Sequence, residues 1–97
     1  MKVFVEFIGY LARKIGRGWL WVEVCEGDDL RDLFLKRLSS WLEVDIARSL
    51  LDAFIRGEVR IAVNGRIVWD LDLKLSDGDR ILLFPLAAGG CSLSIGS

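Results

Sequence analysis

The sequence predicts an α+β fold, a mixed sheet of four to five strands with helix packed on one face. Three observations carry this expectation. Residues 2 to 8 alternate at period two. Between Leu30 and Arg56 the apolar residues recur at helical spacing. The second half holds two short apolar runs joined by Asn64-Gly65, then a final run from Arg80 to Leu86.

Each element follows from its residues. In the first strand Val3, Val5 and Phe7 share one face, while Phe4, Glu6 and Ile8 share the other; Gly9 ends it. Gly16-Arg17-Gly18 reads as the turn of a hairpin leading to a second strand, Trp19 to Cys25. There Leu20, Val22 and Val24 point one way and Trp19, Trp21 and Glu23 the other, with Cys25 a small buried or half-buried residue. Gly27-Asp28-Asp29 begins a helix, with acidic residues where the helix dipole favours them. Leu30, Leu33, Phe34, Leu38, Trp41 and Leu42 form its apolar stripe, and Arg31, Asp32, Lys36 and Arg37 lie mostly opposite. A second helix runs from about Val44 to Arg56, with Asp45 as cap and Gly57 as stop. Its apolar set is Ala47, Leu50, Leu51, Phe54 and Ile55.

Val59 to Val63, Asn64-Gly65 and Arg66 to Trp69 form a second hairpin, and Ser76-Asp77-Gly78-Asp79 is a turn before the last strand. That strand finds its place beside the first, which is the β-grasp, or ubiquitin-like, arrangement. The helix-free face then carries Phe4, Ile8, Trp19 and Trp21. The competing reading has the second helix or the tail folding over them.

Composition bounds the function. Ninety-seven residues make one domain, expected over 1–86, with a flexible tail at 87–97. Thirteen basic and 14 acidic residues, with no long basic block, argue against nucleic acid. The longest apolar stretch, Ile81 to Ala88, is too short to span a bilayer and contains Pro85. A strand pattern at the N-terminus, without a signal-peptide layout, points to a cytoplasmic chain. A hydrophobic content of 53% is high for this size, so some apolar surface should meet a partner.

There is no histidine, and the two cysteines form no CxxC or zinc-type set, so no metal site is expected. A Cys25–Cys91 disulfide is at odds with a cytoplasmic setting. Glu23, Glu26, Asp28, Asp29, Asp77 and Asp79 read as solvated turns and helix starts. No phosphate loop or nucleophile elbow is present. No catalytic side chain is expected.

The chain's end carries the sharpest signal. Phe84-Pro85-Leu86-Ala87-Ala88-Gly89-Gly90 is followed by Cys91 to Ser97. A run of small residues fits a narrow channel and lets another backbone approach closely, as a reacting C-terminal carboxylate requires. Gly90 is joined to Cys91 by a peptide bond, so that carboxylate exists only after the bond is cut.

These residues resemble a known family. Val63-Asn64-Gly65-Arg66-Ile67-Val68, Leu75-Ser76-Asp77-Gly78-Asp79-Arg80-Ile81, Phe84-Pro85 and Gly89-Gly90 are similar to the MoaD/ThiS-like sulfur carriers. These comprise the small subunit of molybdopterin synthase, the thiamine sulfur carrier and archaeal ubiquitin-like modifiers. Val3, Val5, Phe7, Gly9, Leu11 and Arg13 fit as well, so the resemblance covers nearly the whole chain. Phe84-Pro85 and the insert from Trp41 to Gly57 lean toward the molybdopterin-synthase subunit.

The resemblance implies that a ubiquitin-activating-type adenylating enzyme uses ATP to activate Gly90, and that sulfur then replaces AMP to give a thiocarboxylate. No cofactor is bound by the carrier itself. The large subunit of molybdopterin synthase receives the tail. The resemblance places docking residues at Ile8, Ile67 and Phe84, to which the open face adds Phe4, Trp19 and Trp21. For each of these, core packing is the competing reading.

Three explanations fit residues 91–97. A protease cuts after Gly90; or the chain has lost carrier chemistry and is an interaction domain; or the Cys91 thiol attacks the Gly90 carbonyl. The first is favoured because a short Ser- and Gly-containing end is readily cut. The same activated Gly90 would also serve a ubiquitin-like modifier joined to lysines of other proteins.

Overall fold

The computed structural model describes residues 1–86. Five strands make one sheet in the order β2-β1-β5-β3-β4. They are β1 (Lys2–Phe7), β2 (Trp19–Glu23), β3 (Val59–Val63), β4 (Arg66–Val68) and β5 (Arg80–Pro85). β1 pairs antiparallel with β2 and parallel with β5, Val5 facing Leu20 on one side and Ile81 on the other. β3 runs antiparallel to both β5 and β4. The last strand therefore lies beside the first, as the sequence predicts. The expected tail and the residues assigned to it, Gly89, Gly90 and Cys91, lie outside the described residues.

Period-two alternation decides the two faces. Val3, Val5, Phe7, Leu20, Val22, Val59, Ile61, Ile81 and Leu83 are buried on one face under the helices. Those helices are α1 (Tyr10–Ile15), α2 (Leu30–Asp32) and α3 (Val44–Ile55). α3 closes at Gly57, whose φ of 83° is the left-handed conformation expected of a helix stop. Asn64-Gly65 turns the chain with φ of 52° and 86°, the two positive values that a two-residue hairpin needs.

Several expectations are corrected. β1 and β2 pair as expected, but a helix, α1, joins them instead of a bare turn. Gly9 makes this possible: its φ of 65° and ψ of −137° lie where glycine is favoured over residues with a Cβ. The stretch from Leu30 is not one α-helix. After α2 it widens into a π-helical turn, Leu33–Arg37, and tightens into a 3₁₀ turn, Leu38–Ser40. Leu38 and Leu42 stay buried, but Trp41 turns out to solvent, where the Arg17 guanidinium lies 5.3 Å from its ring centre.

Ile55 is exposed at the end of α3 rather than part of its apolar set. Glu43, not Asp45, occupies the N-cap position of α3, without a side-chain hydrogen bond. Cys25 is exposed, because the strand ends at Glu23 and alternation no longer governs it.

Asp28 is the clearest departure among the carboxylates. It is buried, not solvated. Arg37 Nε donates to its Oδ2 at 2.6 Å, and the Cys25 N–H donates to the same oxygen at 2.9 Å. The Arg37 guanidinium first, and the Cys25 amide second, hold the Asp28 carboxyl below its ordinary value. Asp29, by contrast, forms the expected helix start: it accepts from the Asp32 N–H at 2.9 Å while Asp32 reaches back to the Asp29 N–H. Among the described residues, no helix is long and apolar enough to cross a membrane.

Candidate functional site

The face opposite the helices is open. It is built in rows, because paired residues on neighbouring strands stand side by side on the same face. One row runs Trp19, Glu6, Leu82, Ala62 and Ile67 through successive pairings. Another sets Phe84 opposite Arg60, with Ile8 beside it where the Ile8 N–H donates to Leu83 O at 3.0 Å. A third sets Arg80 beside Phe4 and Phe4 beside Trp21.

Apolar side chains gather at two ends of this face. At the β2 end the Phe4 ring centre lies 5.5 Å from Trp19 and 5.0 Å from Trp21. Trp19 is 57% and Trp21 48% exposed. Neither helix α3 nor any other described element covers them. At the other end lie Ile8, 42% exposed, Phe84, half-buried, and Ile67, 53% exposed. Ile8 and Phe84 are neighbours; Ile67 stands two strands away and one pleat offset.

An ion pair divides the two ends. Arg80 Nη2 donates to Glu6 Oε1 at 2.9 Å, and the Arg80 guanidinium also lies 5.5 Å from the Phe4 ring centre. Beside it is an open cavity of about 490 Å³ lined by Glu6, Ala62, Asn64, Gly65, Arg80 and Leu82. Asn64 fixes its rim: its Nδ2 donates to Asp79 and its Oδ1 accepts from the Arg80 N–H, both at 2.9 Å.

Two residues of this face went unread in the sequence. Trp69 is exposed, with the Arg60 guanidinium 4.3 Å from its ring centre. Leu86, just past β5, is exposed too. The signal for Trp69 was available: a two-residue turn at Asn64-Gly65 sets Ala62 against Ile67 and hence Arg60 against Trp69.

No His, Cys, Asp or Glu cluster able to hold a metal ion occurs among the described residues. What this face presents is exposed apolar side chains at both of its ends.

The comparisons agree with this geometry. A search of curated proteins found no match. Among solved structures, the protein described as molybdopterin converting factor, subunit 1, from Pyrococcus furiosus is 27% identical, covering 88% of this chain and 97% of that one, with a TM-score of 0.63. The complex of subunits 1 and 2 of molybdopterin-converting factor from Helicobacter pylori contains a chain 27% identical, covering 93% and 100%, with a TM-score of 0.53. SAMP1 from Haloferax volcanii is 20% identical, covers 93% and 100%, and has a TM-score of 0.66, a likeness of fold. The sequence model of the ThiS family matches residues 22–90, from β2 through Gly89-Gly90. The ubiquitin-like β-grasp fold and a match over most of its length make this chain a member of the ThiS family.

Proposed function

We propose that this chain is a sulfur carrier of the molybdopterin-synthase type, loaded as a thiocarboxylate on Gly90 once residues 91–97 have been removed. The observation that carries the reading is where the apolar patch lies. Ile8 and Phe84 stand at the end of β5, and Gly90 follows Leu86 by four residues, a reach of about 14 Å at full extension. A partner that grips this patch thus has the Gly90 carboxyl within at most about 14 Å of Leu86.

The chemistry needs no side chain of the carrier. A Gly90 carboxylate oxygen attacks the α-phosphorus of ATP on an adenylating enzyme, and pyrophosphate leaves. The mixed anhydride has AMP as leaving group, which a free carboxylate lacks. A sulfide sulfur then attacks the acyl carbon, AMP departs, and a thiocarboxylate remains. The H. pylori complex of subunits 1 and 2 supports a subunit 2-type protein as a partner, which in this reading takes the tail. A processing protease supplies the free carboxylate, and the setting is cytoplasmic.

The likeness of fold to SAMP1 supports a second reading, in which activated Gly90 passes to a lysine amine of another protein. The acceptor separates the two. ATP–pyrophosphate exchange with a cognate adenylating enzyme tests what they share. A chain ending at Gly90 should support exchange, and one that keeps residues 91–97 intact should not. Equal exchange by both, with the tail shown uncut by mass, would remove Gly90 as the activated residue. Gly90→Ala should slow exchange, because a Cβ beside the reacting carbonyl displaces it. Sulfide transfer by the activated chain, without lysine conjugates, favours the carrier; lysine-linked products favour the modifier. No exchange by either chain leaves an interaction domain.

A further inference from the structure

Among the described residues, β2 forms one edge of the sheet and pairs with β1 alone. The register fixes which of its backbone groups face outward. The Phe7 N–H donates to Gly18 O and the Val24 N–H to Met1 O, each at 2.8 Å, while Leu20 faces Val5 and Val22 faces Val3. Even-numbered residues therefore bond to β1. In an antiparallel ladder the alternate residues turn their N–H and C=O the other way, so Trp19, Trp21 and Glu23 present theirs to the free edge. Soluble proteins usually blunt such an edge with lysine, proline or a bulge. Trp19–Glu23 contains neither lysine nor proline, and its register with β1 is unbroken. The other edge, β4, is only three residues long and begins with Arg66.

We propose that the β2 edge seats a second copy of this chain, antiparallel about a two-fold axis, with Leu20 opposite Leu20, Trp19 opposite Trp21 and Arg17 opposite Glu23 of the second copy. The two five-stranded sheets then join into one.

Three observations select this register. It brings outward-facing backbone groups opposite one another, giving about four hydrogen bonds between the Trp19 and Trp21 positions alone. It is charge-complementary, with an arginine meeting a glutamate on each side of the axis. Sliding one step either way sets Arg17 against Cys25 or against Trp21 and loses both pairs. It also continues the open-face cluster of Phe4, Trp19 and Trp21 across the axis, covering indole surface that one copy leaves exposed. A net charge of −1 sets up little repulsion between copies. The Arg17 N–H donates to Ala12 O at 3.1 Å, while its exposed side chain, 5.3 Å from the Trp41 ring centre, forms no ion pair among the described residues and can swing to the edge. The inference goes beyond the carrier reading and does not depend on it, since the Ile8 and Phe84 end stays free.

Sedimentation of the full chain over a range of concentrations tests it. The expected result is a reversible dimer. Arg17→Glu and Glu23→Arg should each raise its dissociation constant at least about tenfold through like-charge contacts. The double variant should return to within about threefold of the original. Hydrogen exchange on the unaltered chain gives an independent reading: the Trp19, Trp21 and Glu23 amides should gain protection as concentration rises, while those of Leu20 and Val22 are protected throughout. A monomer at every concentration overturns the proposal. So does a dimer that neither single change weakens, a double variant as weak as the singles, or a dimer whose β2 edge amides exchange freely.

Discussion

The two ends of the open face are alike in chemistry and different in backbone. Both expose large apolar side chains: Phe4, Trp19 and Trp21 at one, Ile8, Phe84 and Ile67 at the other. The Trp19 end borders a free strand edge whose N–H and C=O groups are unmet within the described sheet. The Phe84 end lies on central strands whose backbone is already paired on both sides, with only the Ile67 strand at an edge. Exposed apolar area alone would assign both ends to one partner. The backbone separates them: a five-residue strand edge lies along the first, while the second, apart from the three-residue β4, offers side chains on paired strands. The second end is also the one from which the chain continues toward Gly89-Gly90.

The largest effects should come from breaking this division directly. Phe84→Ala or Ile8→Asp should weaken binding to the adenylating enzyme or to a subunit 2-type partner by about 2 kcal/mol or more, roughly thirtyfold in Kd, by titration calorimetry. Dimer dissociation should stay unchanged in the same variants. If either change also weakens the dimer in a folded chain, the two ends are one surface.

A second change should affect both ends through the fold. Arg37→Ala leaves the buried Asp28 carboxylate with the Cys25 amide alone. Folding stability should fall by about 2 kcal/mol in denaturant titration, with affinity of the folded fraction unaltered at both ends. A stability loss below about 0.5 kcal/mol would show that the pair is not structural.

Ile67→Ala should cost less, about 1 kcal/mol of partner binding, since Ile67 sits two strands from Phe84 at the rim of the patch. An effect equal to that of Phe84→Ala would move the centre of the interface toward β4.

The smallest effect is one of pH. The folded pKa of Asp28 lies below its ordinary value of 3.8. Its pairing therefore adds stability that is complete above the unfolded value and disappears as pH falls through the lower folded one. Acid unfolding should begin below about pH 4 and lose this component in Arg37→Ala. An identical acid limb in both proteins would contradict the assignment.

Most of this division was legible in the residues, and the failures have a common physical cause. Period-two alternation placed Val3, Val5, Leu20 and Val22 inside and Phe4, Trp19 and Trp21 outside. Asn64-Gly65 fixed the second hairpin because only a few residues accept two positive φ values. Errors arose where periodicity lapses. Helical spacing lapses at the π-helical turn Leu33–Arg37 and the 3₁₀ turn Leu38–Ser40, and Trp41, just past them, is exposed. Cys25 lies past the strand, so its exposure could not follow from parity. Asp28 looked like any turn carboxylate; its burial depends on Arg37, nine positions on, meeting it only after the chain has folded. α1 hides in a six-residue stretch with one fully buried side chain, Leu11, too short for a helical pattern to assert itself.

Carrier chemistry requires that Gly90 become the C-terminal, sulfur-bearing residue of the mature chain. Intact mass of the protein purified from its native cells tests this most directly. The predicted result is a chain ending at Gly90, with a fraction heavier by the exchange of one oxygen for sulfur and sensitive to thiol alkylation. Recovery of every copy with residues 91–97 still attached, and with no sulfur gained, would contradict it.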